Sequence, residues 1–327
     1  METTQTDDEA VRQRPIHSGA MTRSLKVGVQ LPEVERLVRW PELRDMAQTA
    51  EGVGFDSIWL GDHLLYRRET GNVGPWEVWT SLAGLAEATK KVELGPLVAA
   101  TSFHSPPMLA KMAATVDEIS NGRLILGLGA GWNEPDYTAF GFPYDHRVSR
   151  FEEAFTIIRT LLRDGSIDYH GQFYDIADCE LSPRGAPDLH PNGPTLMIGS
   201  TSPRMLSIAI PYVDAWNEWH DRFGNTVEGA AIYSAKVDDA CREVGRDPKD
   251  VTRTVTALVQ LTGGKGRGSS YARPTPAIDG TQPAAAAATL SRYADVGISH
   301  VQLVLDPITV GSIEECAPIL RALDGAG

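Results

Sequence analysis

Thr101–Glu134, TSFHSPPMLAKMAATVDEISNGRLILGLGAGWNE, is the stretch whose reading decides the fold. Ser105 is placed to cap a helix, and Pro106 and Pro107 suit its first turn, where missing N–H groups cost nothing. Met108, Leu109, Met112, Ala113, Val116 and Ile119 recur at helical spacing and predict one apolar stripe. Asn121 and Gly122 stop the helix. Arg123 to Leu128 is apolar on both faces after its first residue, which predicts a parallel strand covered on both sides. It runs into Gly129-Ala130-Gly131-Trp132, where backbone can approach a ligand closely.

The same rhythm extends both ways. Upstream, Leu25 to Leu31 reads as a first strand, and Leu43, Met46, Ala47 and Ala50 mark the buried face of the next helix. Ser57 to Leu60 is a second strand ending in Gly61-Asp62-His63, Trp76 to Thr89 the returning helix, and Val92 to Ala99 a third strand. Downstream, Asp145 to Leu162 is a long helix with apolar Phe151, Phe155, Ile158 and Leu162. Asp164 to Pro194 breaks the alternation as a surface insertion with a hairpin near His170-Gly171.

Alternation resumes with Thr195 to Ile198, a helix from Ser202, strand Val213 to Asn217, helix Ala230 to Val244 and strand Val251 to Leu261. Thr262 to Gln282, rich in Gly, Ser and Pro, is long for a connector and reads as a mobile lid. Ala284 to Val296, His300 to Leu305 and Ile313 to Leu323 complete a helix, a strand and a helix. Eight βα units in about 300 residues predict an α/β fold, a (β/α)8 TIM barrel with insertions after strands four and seven. A doubly wound sheet is the alternative. Residues 24–327 are read as one barrel domain, and 1–23, polar and patternless, as a disordered extension, with Met21 an alternative start.

Composition narrows the function classes. A formal net charge of -13 argues against non-specific binding to nucleic acid or to an anionic membrane, since both need a basic surface. A small-molecule substrate is the expected partner, with a homodimer as the assembly. Cys179, Cys241 and Cys316 are far apart and odd in number, which fits a reducing cytoplasm and neither a disulfide framework nor a zinc cluster. No apolar run approaches the roughly 18 residues of a membrane span, and the N-terminal stretch lacks a signal-peptide core.

In a barrel, the residues after each strand carry the chemistry. Asp62-His63 reads either as a surface turn with a capping aspartate or as an aspartate orienting an imidazole toward a reacting atom. His104, His146, His170 and His220 lack such support and read as loop or surface histidines. No metal is expected, because a metallohydrolase barrel wants several His and Asp ligands including a His-x-His pair, which the chain lacks. Glu134 and Glu218 are the best glycosidase pair available, on spacing that carries little specificity. Gly127-x-Gly129-x-Gly131 lacks the order of a dinucleotide fingerprint. Gly199-Ser200-Thr201-Ser202-Pro203 reads equally as an anion site or a plain helix start. Trp76, Trp79, Trp132, Trp216 and Trp219 could wall a planar ring system.

GFDSIWLGDHLL (54–65), the run from Val92 to Glu134, RFEEAFTIIRTLL (150–162) and PTLMIGSTSPRML (194–206) resemble the bacterial luciferase-like monooxygenase family, and within it the oxidoreductases that use the deazaflavin coenzyme F420. The resemblance covers nearly the whole chain after Arg23. It implies a barrel holding a flavin or deazaflavin at its C-terminal mouth, with the redox chemistry belonging to the cofactor. It makes Asp62 and His63 the catalytic pair beside the ring, and Leu97–Val98 a cis peptide bulging strand three against it. Cofactor contacts are implied at Leu97, Val98, Thr101, Gly129, Ala130, Gly131 and Trp132, and near the phosphate at Gly199, Ser200 and Thr201. Where the family's sugar-phosphate dehydrogenases carry a catalytic glutamate, this chain has Trp132, which argues against glucose-6-phosphate. Three functions follow as expectations: hydride transfer between F420 and a small organic substrate, an FMN-dependent monooxygenase, or a barrel that binds a flavin or metabolite without turnover.

Overall fold

The computed structural model describes residues 23–69, 71–185, 190, 192–266 and 275–325. Eight parallel strands follow one another around a barrel: Lys26–Gln30, Ser57–Leu60, Glu93–Pro96 continued by Ala99–Ala100, Ile125–Gly129, Thr195–Ile198, Ala215–Glu218, Thr252–Gln260 and His300–Asp306. The eighth pairs with both the first and the seventh. The third strand closes the ring in two halves, Glu93–Pro96 pairing with strand two and Ala99–Ala100 with strand four. Between the halves lies the Leu97–Val98 peptide, which is cis as expected.

Period-two alternation sorts the side chains. Val27, Val29, Ile58, Leu126, Leu128, Val255, Leu303 and Leu305 point outward into the core beneath the helices. Trp59, Met197 and Ala215, with Leu97, Val98 and Ile125 against them, form a separate apolar group inside the barrel. The opposite wall of the lumen is polar: the Asn217 amide donates to Thr254 Oγ1 and to Gln302 Oε1, both at 2.8 Å.

The helix after strand three runs Pro106–Ser120 with Ser105 at its N-cap, although the Ser105 side chain makes no capping hydrogen bond. Its buried face is Leu109, Ala110, Ala113, Ala114, Val116, Asp117 and Ser120, while Met108 and Ile119 are exposed, so the expected stripe is rotated. Alanines take the inner positions because the helix packs against two neighbouring helices, Val78–Ala88 and Arg147–Asp164, and small side chains permit that approach. On Arg147–Asp164 the buried Phe151 and Phe155 stack at 5.5 Å. Each such burial stabilises by about 1.5–3 kcal/mol.

The insertion after strand four is the expected hairpin, Ser166–His170 against Asp175–Glu180. Its turn is fastened by Glu153, whose carboxylate accepts the N–H groups of Gln172, Phe173 and Tyr174. The final helix is divided into Val310–Glu315 and Ala317–Asp324, because Pro318 lacks the N–H that would continue it. Elements without a counterpart in the sequence reading include a hairpin Tyr66–Arg68 with Gly71–Val73, a short helix Glu134–Phe140, and the short strand Ile278–Asp279, which pairs with strand seven inside the stretch read as a lid. The expected disorder of residues 1–23 falls, Arg23 apart, outside the described residues, and so does the middle of the expected lid, 267–274. Among the described residues no helix is long and apolar enough to cross a membrane.

Candidate active site

His63 leaves the end of strand two and meets the short helix that follows strand four. Its Nδ1 lies 2.8 Å from Asp136 Oδ2. Asp136 is fully buried and its other oxygen accepts the backbone N–H groups of Leu64 and Leu65 at 3.1 and 2.6 Å. Burial alone would favour its neutral form, but these bonds, led by that from His63, hold the carboxyl below its ordinary value. An ionised carboxylate can only accept, so Nδ1 of His63 carries the proton and Nε2 is left to face other groups.

On the Nε2 side stands Glu33, from the loop after strand one, with Oε1 at 3.9 Å. The Tyr66 hydroxyl donates to the same oxygen at 3.1 Å, and its own ionisation is pushed far up by burial and by Glu33. Desolvation works against a charged His63, yet the hydrogen bond to Asp136 and the charges of Glu33, Asp136 and Asp62 outweigh it, and the imidazole titrates above its ordinary value.

The hydrogen bond that orients His63 is made with Asp136 and not with Asp62, its neighbour in the chain, whose charge nonetheless acts on the imidazole. Asp62 Oδ2 accepts the N–H of Ala100 at 2.8 Å, anchoring the upper half of strand three. Consecutive residues of an extended segment point to opposite sides, so Asp62 turns toward strand three while His63 turns toward Asp136. Nearly complete burial pushes its pKa up to about 7.

Strands three, four and five build the adjoining shelf. A Cβ at Gly127, Gly129 or Gly199 would fall 2.9, 2.8 or 3.0 Å from the Val98 methyl groups, so this valine rests on three glycines that belong to two neighbouring strands. Leu97 packs with Trp59 and Met197 in the lumen. Gly131 adopts a left-handed φ of +73°, and a side chain there would strike the Tyr137 hydroxyl, which donates to the Ala130 carbonyl at 2.9 Å. Thr101, past the end of strand three, is buried with no hydrogen-bond partner for its hydroxyl, while the buried Ser102 hydroxyl lies against that of Tyr137. Such an orphaned hydroxyl beside a shelf of backbone and valine fits a bound planar ring with a polar edge.

Across the mouth, Thr201 donates to Glu218 Oε2 at 2.6 Å, and Trp219 N–H donates to Oε1 at 3.1 Å. Arg222 Nε lies 3.3 Å from Oε1. Desolvation raises the Glu218 pKa despite these partners. The Thr201 hydroxyl is thus spent on a carboxylate, and Ser200 engages Ser202 N–H at 3.3 Å and, through its carbonyl, Trp216 Nε1 at 2.9 Å.

Several sequence readings are redistributed. His220 is a loop residue as expected but buried, not at the surface, with its backbone N–H donating to Thr256 Oγ1 at 2.6 Å and desolvation lowering its pKa to about 4. Trp79 and Trp216 are core, Trp219 lies against His220, and Trp132 reaches His63. Glu134 is the first residue of the short helix Glu134–Phe140. Glu33, Tyr66 and Asp136 were missed. Asn133-Glu134-Pro135-Asp136 is a legible helix start, which locates Asp136 locally but not beside His63.

The sequence profile of the family described as luciferase-like monooxygenase matches residues 16–294. An F420-dependent glucose-6-phosphate dehydrogenase of Amycolatopsis mediterranei is 34% identical over 148 residues, 44% of this chain and 44% of that protein. A pyrimidine monooxygenase RutA of Pseudomonas savastanoi pv. phaseolicola is 32% identical over 216 residues, 62% of this chain and 57% of that protein. The chain spans about half the length of these relatives. Among solved structures, an F420-dependent secondary alcohol dehydrogenase in complex with an F420-acetone adduct matches with a TM-score of 0.75 at 18% identity, over 92% of this chain and 99% of that one. A long-chain alkane monooxygenase, LadA, matches with a TM-score of 0.73 at 14% identity, over 92% of each chain. At such identities the likeness is one of fold.

Proposed function

This chain belongs to the luciferase-like monooxygenase family, a family of oxidoreductases, and on that premise we propose that it transfers hydride between coenzyme F420 and a small organic substrate. The observation that carries the reading is His63, held by Asp136 on one nitrogen and set against Trp132, which directly follows the glycine-rich exit of strand four. A deazaflavin supplies a ring carbon that accepts or returns hydride. Val98, Leu97, Gly129, Ala130 and Gly131 would lie against the ring, with Thr101 offering its hydroxyl to the ring's polar edge. Gly199 and Ser200 would stand near the phosphate, and Thr201 would support them through Glu218.

His63 moves the proton that accompanies hydride. Protonated, it donates from Nε2 to a carbonyl oxygen; neutral, it takes the proton of an alcohol at the same atom, while Asp136 keeps Nδ1–H in place. Glu33 stabilises the charged form and positions Tyr66. The walls of Trp59, Leu97 and Val98 exclude water from the lumen side.

A second reading, an FMN-dependent monooxygenase, is supported by the likeness to the pyrimidine monooxygenase. We propose a cytoplasmic homodimer in either case. Titrating the purified apoprotein with F420 and with FMN, followed by fluorescence, separates the readings. Saturation by F420 alone, with hydride exchange at its ring, is the result expected. Binding of FMN alone would transfer the assignment to the monooxygenase, and binding of neither would leave a metabolite-binding barrel.

A further inference from the structure

Trp132 is a large apolar side chain left 58% exposed at the mouth, next to the residue that handles the proton. Its ring meets His63 at 5.3 Å and 73°, and Tyr66 at 6.4 Å and 62°. Both contacts are T-shaped, so neither ring lies flat on the indole. The backbone beneath it is held: Tyr144 donates its hydroxyl to the Trp132 carbonyl at 3.1 Å, and Gly131 before it takes the left-handed turn that Tyr137 closes to any side chain. An exposed aromatic on a fixed backbone is a presented surface, since leaving it in water forgoes the burial that indole favours.

Charge adds a second constraint. Two carboxylates, Asp136 at 2.8 Å and Glu33 at 3.9 Å, flank the one imidazole, and the Arg68 charge is felt at the neighbouring Tyr66, so the charges of this corner are already matched once His63 is protonated. An anionic substrate would find no unmatched cation here, whereas an uncharged one meets an indole face and a proton donor side by side.

We propose that Trp132 determines specificity, selecting an uncharged planar ring that bears a carbonyl or imino group able to accept hydride, or an exocyclic carbinol able to give it. The ring stacks on the indole and its polar group reaches Nε2 of His63. This deepens the reading of His63 given above and moves Trp132 from the cofactor to the substrate.

The test uses 2-naphthol, whose phenolic hydroxyl cannot give hydride and so reads stacking without turnover, its saturated analogue decahydro-2-naphthol and glucose 6-phosphate as probes, with binding measured by calorimetry on the purified protein with and without saturating F420 or FMN. Wild type should bind 2-naphthol more tightly than the saturated analogue and should not bind the sugar phosphate. Trp132→Ala should weaken 2-naphthol about tenfold and leave decahydro-2-naphthol within twofold, while Trp132→Phe keeps most of the preference. Trp132 is exposed, and circular dichroism of both variants reads folding separately. Equal affinity for the two naphthols, or a ratio unchanged in Trp132→Ala, would overturn the proposal. So would displacement of 2-naphthol by the cofactor, which would assign the indole to the cofactor ring. If neither cofactor binds while the planar preference stands, it is the hydride-transfer reading that fails.

Discussion

At one corner of the mouth Asp136 accepts a proton-bearing imidazole nitrogen and two backbone N–H groups; at the other Glu218 accepts one hydroxyl and one N–H, with Arg222 alongside. Both carboxylates are buried, yet their pKa values move in opposite directions, down for Asp136 and up for Glu218. Desolvation is the leading influence on each, and the donors decide whether it prevails. Asp136 has enough of them, one on a group that itself takes up a proton. The difference separates a corner able to move charge near neutral pH from one that fastens two loops together.

The largest expected effect lies at the first corner. His63→Asn should lower turnover by about 10²–10⁴ while leaving cofactor affinity within a few-fold. A variant that loses cofactor affinity but turns over normally at saturation would make His63 a binding residue and remove the contrast.

Asp136→Asn should come next, lowering turnover by about 10–100-fold, because an amide can offer its N–H to Nδ1 and stabilise the wrong tautomer. The pH–rate profile gives the sign: the imidazolium survives to higher pH with Asp136 present, so its loss should move the basic limb toward lower pH. Asp62→Asn should shift that limb much less. Equal shifts in the two variants would restore Asp62 as the orienting residue.

The same corner should make stability pH-dependent. Asp62 and His63 both titrate higher in the folded chain than their unfolded values, so each contributes stability that is complete below its unfolded pKa and lost as pH rises through the folded one. For Asp62 that window runs from about 4 to about 7. Melting temperatures across it should fall in wild type and flatten in Asp62→Asn; a parallel fall would place the titration elsewhere.

At the second corner effects should be small and structural. Thr201→Val, which leaves a buried Glu218 oxygen without its donor, should cost about 1–3 kcal/mol of stability by denaturant unfolding. Glu218→Gln keeps an acceptor for Thr201, removes a buried charge, and should change turnover less than about threefold. A loss as large as that of Asp136→Asn would make the two corners equivalent.

Local pattern determined the barrel. Ser57–Leu60 and Thr195–Ile198 are strands with the bounds read from sequence, and Leu43, Met46, Ala47 and Ala50 are the buried face of their helix, because burial of one side imprints a period on each element by itself. The same logic located His63 at a strand end. It could not choose the partner of His63, since adjacency along the chain favoured Asp62 and an extended backbone turns adjacent side chains apart. Asp136, 73 residues away, and Glu33, in the loop after strand one, reach the imidazole only because the barrel places the ends of strands one, two and four around one rim. Which carboxylate is close depends on strand order and on the turn at Gly131, and neither property leaves a periodic trace near the residues it brings together.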